Sequence, residues 1–252
     1  MGFGQIEAMT HRGLHLAFER QAGDAPTFVW LGGFMSDMAG TKAQMFAEWA
    51  RERGQAFVRF DYSGHGASGG AFTDGTISLW TGDALAVIDQ QTEGPLVLIG
   101  SSMGGWISLL AARARPARVK ALLLIAPAAD FTERLMLPAF PPEALKQLAE
   151  TGHWERPSAY DPQPYVITRE LIEDGRANLV MDAPFPFAGP IRIVAGARDP
   201  DVPLAHVQAL RGVIQSGDLE MHVIPDGDHR LSRPQDLEQL RALAQSLAAL
   251  AC

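Results

Sequence analysis

A serine hydroxyl attacks a carbonyl only when a base can take its proton, and one serine in this chain sits in a frame built for that. Gly100-Ser101-Ser102-Met103-Gly104 follows an apolar run over 95–99 and precedes a helical stretch over 106–113. Glycines two before and two after the serine suit a strand-to-helix turn too tight for side chains at those places. The turn forces Ser102 outward, beside a helix amino terminus whose amides and dipole favour developing negative charge. A serine nucleophile needs a histidine, and the histidine an acid that holds its tautomer. Downstream, Asp199 follows the apolar run 191–195, and His229 follows the run 219–224. Ser102, Asp199 and His229 are the candidate catalytic residues. His65, in Gly64-His65-Gly66, is the rival base, although it precedes the serine; Asp201 and Asp130 are the rival acids.

Charge building on the substrate oxygen needs donors already in place, each worth about 10²- to 10³-fold in rate. The turn supplies the Met103 amide. A second amide is expected from the loop after the run 27–31, where Gly32-Gly33-Phe34-Met35 lets backbone come close to a substrate, and Phe34 is the candidate. Gly33 and Met35 are candidate substrate contacts from the same loop, and Trp154 a third from farther on.

Elements must bring these loops together. Short Val, Ile and Leu runs at 27–31, 56–60, 95–99, 119–125, 191–195 and 219–224 alternate with amphipathic stretches at 41–53, 76–91, 103–115, 203–215 and 234–251. That rhythm predicts an α/β fold with a mostly parallel, doubly wound sheet and crossover helices. Residues 14–20 add an antiparallel edge strand. The candidate triad then lies at carboxyl ends of strands, where sites of open sheets gather. Residues 131–188 break the rhythm, holding 8 of the 17 prolines and 7 of the 20 aromatics. They are expected to form an inserted helical cap between core segments 1–130 and 189–252. Phe131, Phe140, Trp154, Phe185 and Phe187 make the segment too apolar for disorder, and they could line a pocket or form its core.

Composition narrows the partners. Twenty-nine acidic residues against 21 basic ones give a net charge of −8, which works against nucleic acid and anionic membranes. No run approaches the roughly 18 apolar residues of a membrane span. The one cysteine, Cys252, is terminal, so neither an internal disulfide nor a cysteine zinc site is expected. The amino-terminal residues lack the pattern of a secretory or transit segment, and a cytoplasmic location is the expectation. No cofactor or metal is expected. The partner is expected to be a small ester or thioester, or an acylated protein.

The residues together resemble the α/β-hydrolase superfamily, through Leu31-Gly32-Gly33-Phe34, Asp61-Tyr62-Ser63-Gly64-His65-Gly66-Ala67-Ser68 and Gly100-Ser101-Ser102-Met103-Gly104-Gly105-Trp106. The chain order Ser, Asp, His fits that superfamily. More narrowly, the stretch from Phe34 through Gly40-Thr41-Lys42-Ala43, with Arg59-Phe60-Asp61-Tyr62, resembles its subfamily of palmitoyl-protein thioesterases and mycophenolic acid acyl-glucuronide esterases. The resemblance implies Ser102 as nucleophile, Asp199 as acid, His229 as base, and cleavage of esters or thioesters. A carbon–carbon bond hydrolase with the same triad and a non-catalytic binding protein of the same fold are the competing readings.

Overall fold

Apolar residues run almost unbroken through the central strands because helices cover both faces of the sheet. The computed structural model describes residues 5–156 and 165–251, so Cys252 lies outside the described residues. The chain begins β1 (Glu7–His11), β2 (Leu14–Gln21), β3 (Asp24–Leu31), α1 (Thr41–Arg53), β4 (Gln55–Phe60), a 3-10 turn (Phe72–Asp74), α2 (Ile77–Gln91), β5 (Leu96–Ser101), α3 (Met103–Ala114) and β6 (Val119–Ile125). It continues through a π turn (Thr132–Met136), α4 (Leu137–Ala139), α5 (Pro142–Thr151), β7 (His153–Arg156), β8 (Tyr165–Thr168), α6 (Arg169–Ala177) and β9 (Phe185–Pro186). Last come β10 (Ile191–Gly196), α7 (Leu204–Val213), β11 (Ile214–Gln215), β12 (Leu219–Ile224) and α8 (Pro234–Leu250).

Eight strands form one sheet in the order β1-β2-β4-β3-β5-β6-β10-β12. The pairs β1–β2 and β2–β4 are antiparallel, and every later pair in the sheet is parallel. The edge position expected for 14–20 belongs instead to β1, because β2 pairs on both sides. Only Met9 of β1 is buried, so its sequence carries no apolar run to announce it. The helix expected over 203–215 also stops early, at Val213, where Ile214–Gln215 turns into β11 and pairs with β9.

The period of two along the strands divides the core. Leu96 and Leu98 face one layer with Trp80 of α2 and Trp106 of α3, while Val97 and Ile99 face the other with Phe46 of α1 and Leu240 of α8. Because α1 leaves β3 across one face and α2 enters β5 from the other, the loops after β3 and β5 diverge at their carboxyl ends. Such a switch point leaves a crevice. Leu31 pairs with Gly100 across it, so the Gly33 loop and the Ser102 turn start side by side.

Between β6 and β10 the chain builds a smaller layer: helices α4 to α6 with an antiparallel pair, β7–β8, that the sequence pattern did not announce. Phe140, Ala144, Leu148, Ile167 and Ile172 form its apolar cluster, with Phe34 and Trp154 packed against it. Asp130, fully buried, closes the segment onto the sheet. Its Oδ1 accepts from the Val180 amide and its Oδ2 from the Met181 amide, each at 2.9 Å. Burial raises its carboxyl above the usual range. Both oxygens of this rival acid are taken by backbone amides, with Arg134 Nε 3.4 Å from Oδ2, and it is Asp199 whose carboxylate stands against His229.

Candidate active site

β5 ends at Ser101 and α3 begins at Met103, so Ser102 alone makes the turn, at φ 55° and ψ −119°. L residues seldom adopt that conformation, and it persists only where the surroundings over-determine it. Here they do. The Ser102 amide donates to the Ile125 carbonyl at 2.9 Å, and its own carbonyl accepts from Gly105 and Ala128. The glycines are required by contact: a Cβ on Gly104 would stand 2.0 Å from the Leu31 carbonyl oxygen, and one on Gly100 2.3 Å from that of Gly104. Met35, Ser102, Ala126, Asp130 and Leu231 all have positive φ and all lie in loops at carboxyl ends of sheet strands. Strain is gathered at this edge.

The structure brings Ser102, His229 and Asp199 together. His229 Nε2 lies 3.1 Å from Ser102 Oγ, and its Nδ1 lies 2.7 Å from Asp199 Oδ2. Asp199 is almost wholly buried at its side chain, 1% exposed, while His229 keeps 24%. The second carboxylate oxygen, Oδ1, accepts from the amides of Asp201 and Val202, both at 2.8 Å. Asp201 itself points to solvent beside the pair. Asp199, Asp201 and His229 each offer an atom within 4.8 Å of one another, as a metal site would. A metal there would have to displace the Asp199–His229 contact.

Gly33, Phe34, Ser102, Asp201 and His229 line a cleft of about 500 Å³. A Cβ on Gly33 would stand 3.3 Å from Ser102 Cβ, so the loop approaches the hydroxyl closely. The Met103 amide opens α3 and has no intrahelical acceptor. Phe34 stacks edge-on against Phe72, Trp80 and Phe131. Two expected contacts are not brought to the cleft among the described residues. Met35 turns outward, 46% exposed, and Trp154 stacks on Phe140 at 4.9 Å within the smaller layer.

Sequence reasoning missed Lys42 as a member of this cleft. The first turn of α1 carries it in, and its Nζ donates to the carbonyl of Arg230, next to His229. Burial draws its ammonium down to about 8, against the opposing pull of Asp228. It missed Asp61 as well, whose Oδ1 accepts from the Met38 amide and Oδ2 from the Ala67 amide. The Lys42 role has no local signal, because its acceptor lies 188 residues away, and Asp61 has a local partner in Ala67 but takes the Met38 amide only in the fold.

Parallel sheet, elbow and cleft together define the α/β-hydrolase class. Residues 27–170 match the Hydrolase_4 family, described as serine aminopeptidase, S33. The mitochondrial palmitoyl-protein thioesterase ABHD10 of mouse is 36% identical over 227 residues, which is 90% of this chain and 76% of that protein. The solved structure of mouse α/β-hydrolase domain-containing protein 10 superposes with a TM-score of 0.89 at 33% identity, covering 97% of this chain and 98% of that one. A provisionally named hydrolase from Agrobacterium vitis S4 superposes at 0.93 with 42% identity, covering 97% and 98%. This chain belongs to the Hydrolase_4 family of α/β-hydrolases and is a hydrolase. The cytoplasmic location expected from the sequence is corrected: the curated thioesterase relatives from five mammals are named mitochondrial, which points away from it. Cysteine count and amino-terminal composition were too weak a basis for a compartment. Among the described residues no helix is long and apolar enough to cross a membrane.

Proposed function

We propose that this hydrolase cleaves carboxylic esters and thioesters through an acyl-enzyme on Ser102. The observation that carries the reading is the unbroken hydrogen-bonded line from Ser102 Oγ through His229 to Asp199. His229 Nε2 takes the hydroxyl proton as Oγ bonds to the acyl carbon, and Asp199 steadies the imidazolium through Nδ1. The Met103 and Phe34 amides receive the negative oxygen of the tetrahedral intermediate. His229 then gives its proton to the departing thiolate or alkoxide. Water, deprotonated by the same nitrogen, releases the acid and restores Ser102.

The name of the mouse relative supports an acyl thioester on a protein as one substrate, with acyl glucuronides a related oxygen ester. Residues 131–188 act in this reading as a cap whose apolar cluster meets the cleft at Phe34. A fluorophosphonate probe tests the nucleophile: wild type is labelled and Ser102→Ala is not, with the variant's circular dichroism unchanged. Labelling that persists in folded Ser102→Ala sinks the assignment. A panel of aryl esters, acyl-CoA thioesters and vinylogous diketones, read for turnover, separates ester and thioester cleavage from carbon–carbon cleavage and from binding alone.

A further inference from the structure

His65 entered as a rival base, yet the fold gives it other partners. It is 4% exposed and ringed edge-on by Tyr62, Phe72 and Trp80, with centroids 5.2 to 5.7 Å away. Its Nδ1 lies 3.2 Å from the Ser63 carbonyl, and its Nε2 lies 3.2 Å from the Met35 amide. These partners fix the tautomer by elimination. A carbonyl only accepts, so Nδ1 carries the proton; an amide only donates, so Nε2 must be bare. Protonation at Nε2 would set two donors face to face. Burial lowers the imidazole's affinity for a second proton, which keeps the accepting form at neutral pH.

The amide so held belongs to a strained residue. Met35 has φ 55° and follows Phe34 directly. Two further ties hold the loop lower down, where Asp61 accepts from the Met38 amide and Arg59 donates to the Met38 carbonyl. Beside the turn bond from the Ser36 amide to the Gly33 carbonyl at 3.2 Å, His65 is thus the side-chain tie at the catalytic end of the loop, adjoining the peptide whose N–H would face the oxyanion.

We propose that His65 is a positioning residue: by accepting the Met35 amide at bare Nε2 it holds the Gly33–Met35 loop in the shape that aims the Phe34 N–H at the oxygen developing on a substrate bound to Ser102. This rests on the ester and thioester hydrolase reading above. Its role is one of aim, so its loss falls on the transition state and little on the ground-state complex.

Two substitutions separate the two ring nitrogens. In His65→Gln the side-chain oxygen reaches the place of Nε2 and can still accept from Met35, while in His65→Asn the amide reaches only as far as Nδ1 and Ser63. The expected result with a short aryl ester is a kcat in His65→Asn lower by about 10²-fold, with KM within about twofold, and in His65→Gln recovery of most of that loss. A packing role alone predicts equal damage to both, and that result overturns the proposal, as does an undiminished kcat in folded His65→Asn. Should both variants fail to fold, nitrogen-15 spectra of histidine-labelled wild type decide. A buried ring protonated at Nδ1 and bare at Nε2, coupled to the Met35 amide, upholds it; the opposite tautomer overturns it. Ser102→Ala measured alongside keeps the two readings apart. If that variant retains turnover, the nucleophile assignment falls and this proposal with it; if it is dead while His65→Asn is unharmed, only this one falls.

Discussion

Asp199 meets His229 through one carboxylate oxygen and keeps the other for backbone: Oδ2 stands 2.7 Å from Nδ1, while Oδ1 takes the amides of Asp201 and Val202. The division fixes what a neutral isostere would do. In Asp199→Asn the remaining oxygen stays with the two amides, and the new NH₂ turns toward His229. Nδ1 must then accept, the imidazole proton moves to Nε2, and Nε2 can no longer receive the Ser102 proton. We expect kcat on an aryl ester to fall by about 10⁴-fold, the loss known for the same substitution in a serine protease, with little change in Tm. A loss below tenfold would show that Asp199 is not the orienting acid.

The elbow glycines allow a test of packing. A Cβ on Gly104 would meet the carbonyl oxygens of Leu31 at 2.0 Å and Gly32 at 2.6 Å, both backbone atoms that move only with β3 and its loop. Gly104→Ala is therefore expected to destabilise by roughly 1–3 kcal/mol, the range for overpacking, and to abolish fluorophosphonate labelling. Gly212, near the end of α7, has open space around its Cβ position. Gly212→Ala should be neutral or stabilising by about 0.4–1 kcal/mol through the unfolded chain. Urea unfolding measures both, and equal stabilities for the two variants would contradict the geometry.

The contrast between these positions explains what the sequence made legible. Gly100, Ser102 and Gly104 lie within five residues, so one tight turn wrote its requirements locally. Asp199 follows β10, a strand buried on both faces that reads as an apolar run, while His229 follows β12, an edge strand with only Ile224 buried, and is found through the Asp226-Gly227-Asp228-His229 loop after it. β1 was missed because only Met9 of its five residues is buried, and β7–β8 because a pair on a small layer has mixed burial. His65 was seen as a histidine near the site, but its tautomer depends on Met35, 30 residues away. Local sequence carries turn chemistry and core periodicity; it does not carry a partner supplied by another loop.

Trp154 is a second place where type and location part. A tryptophan in a proline-rich, aromatic segment reads both as a substrate contact and as core of that segment, and its ring packs on Phe140 among Ala144, Leu148, Ile167 and Ile172. Trp154→Ala should therefore lower stability by roughly 1–3 kcal/mol, as other losses of packing do, and leave KM for a short aryl ester within about twofold. Thermal unfolding and steady-state kinetics on the same preparation check this. A KM raised tenfold at unchanged Tm would place Trp154 against the substrate after all.

Lys42 gives the site a pH signature at the alkaline end. Its ammonium titrates at about 8 in the fold, against an ordinary value of 10.5, chiefly because burial disfavours the charge. The folded state thus releases a proton that the unfolded chain still holds between those two values. Where the unfolded state binds more protons, stability rises with pH. Burying the charge consequently weakens the fold at pH 7 and below, and the penalty fades as pH climbs from about 8 to about 10.5. Lys42→Met removes the titrating group and keeps the stem, so it should exceed wild type in Tm at pH 7 by a margin that shrinks by pH 10. The same amine should also react early. With its ammonium drawn down to about 8, it should be modified by trinitrobenzenesulfonate at pH 8 in a fast phase absent from Lys42→Met. A margin in Tm that stays constant across that pH range, with no fast phase, would mean that Lys42 titrates like a surface lysine.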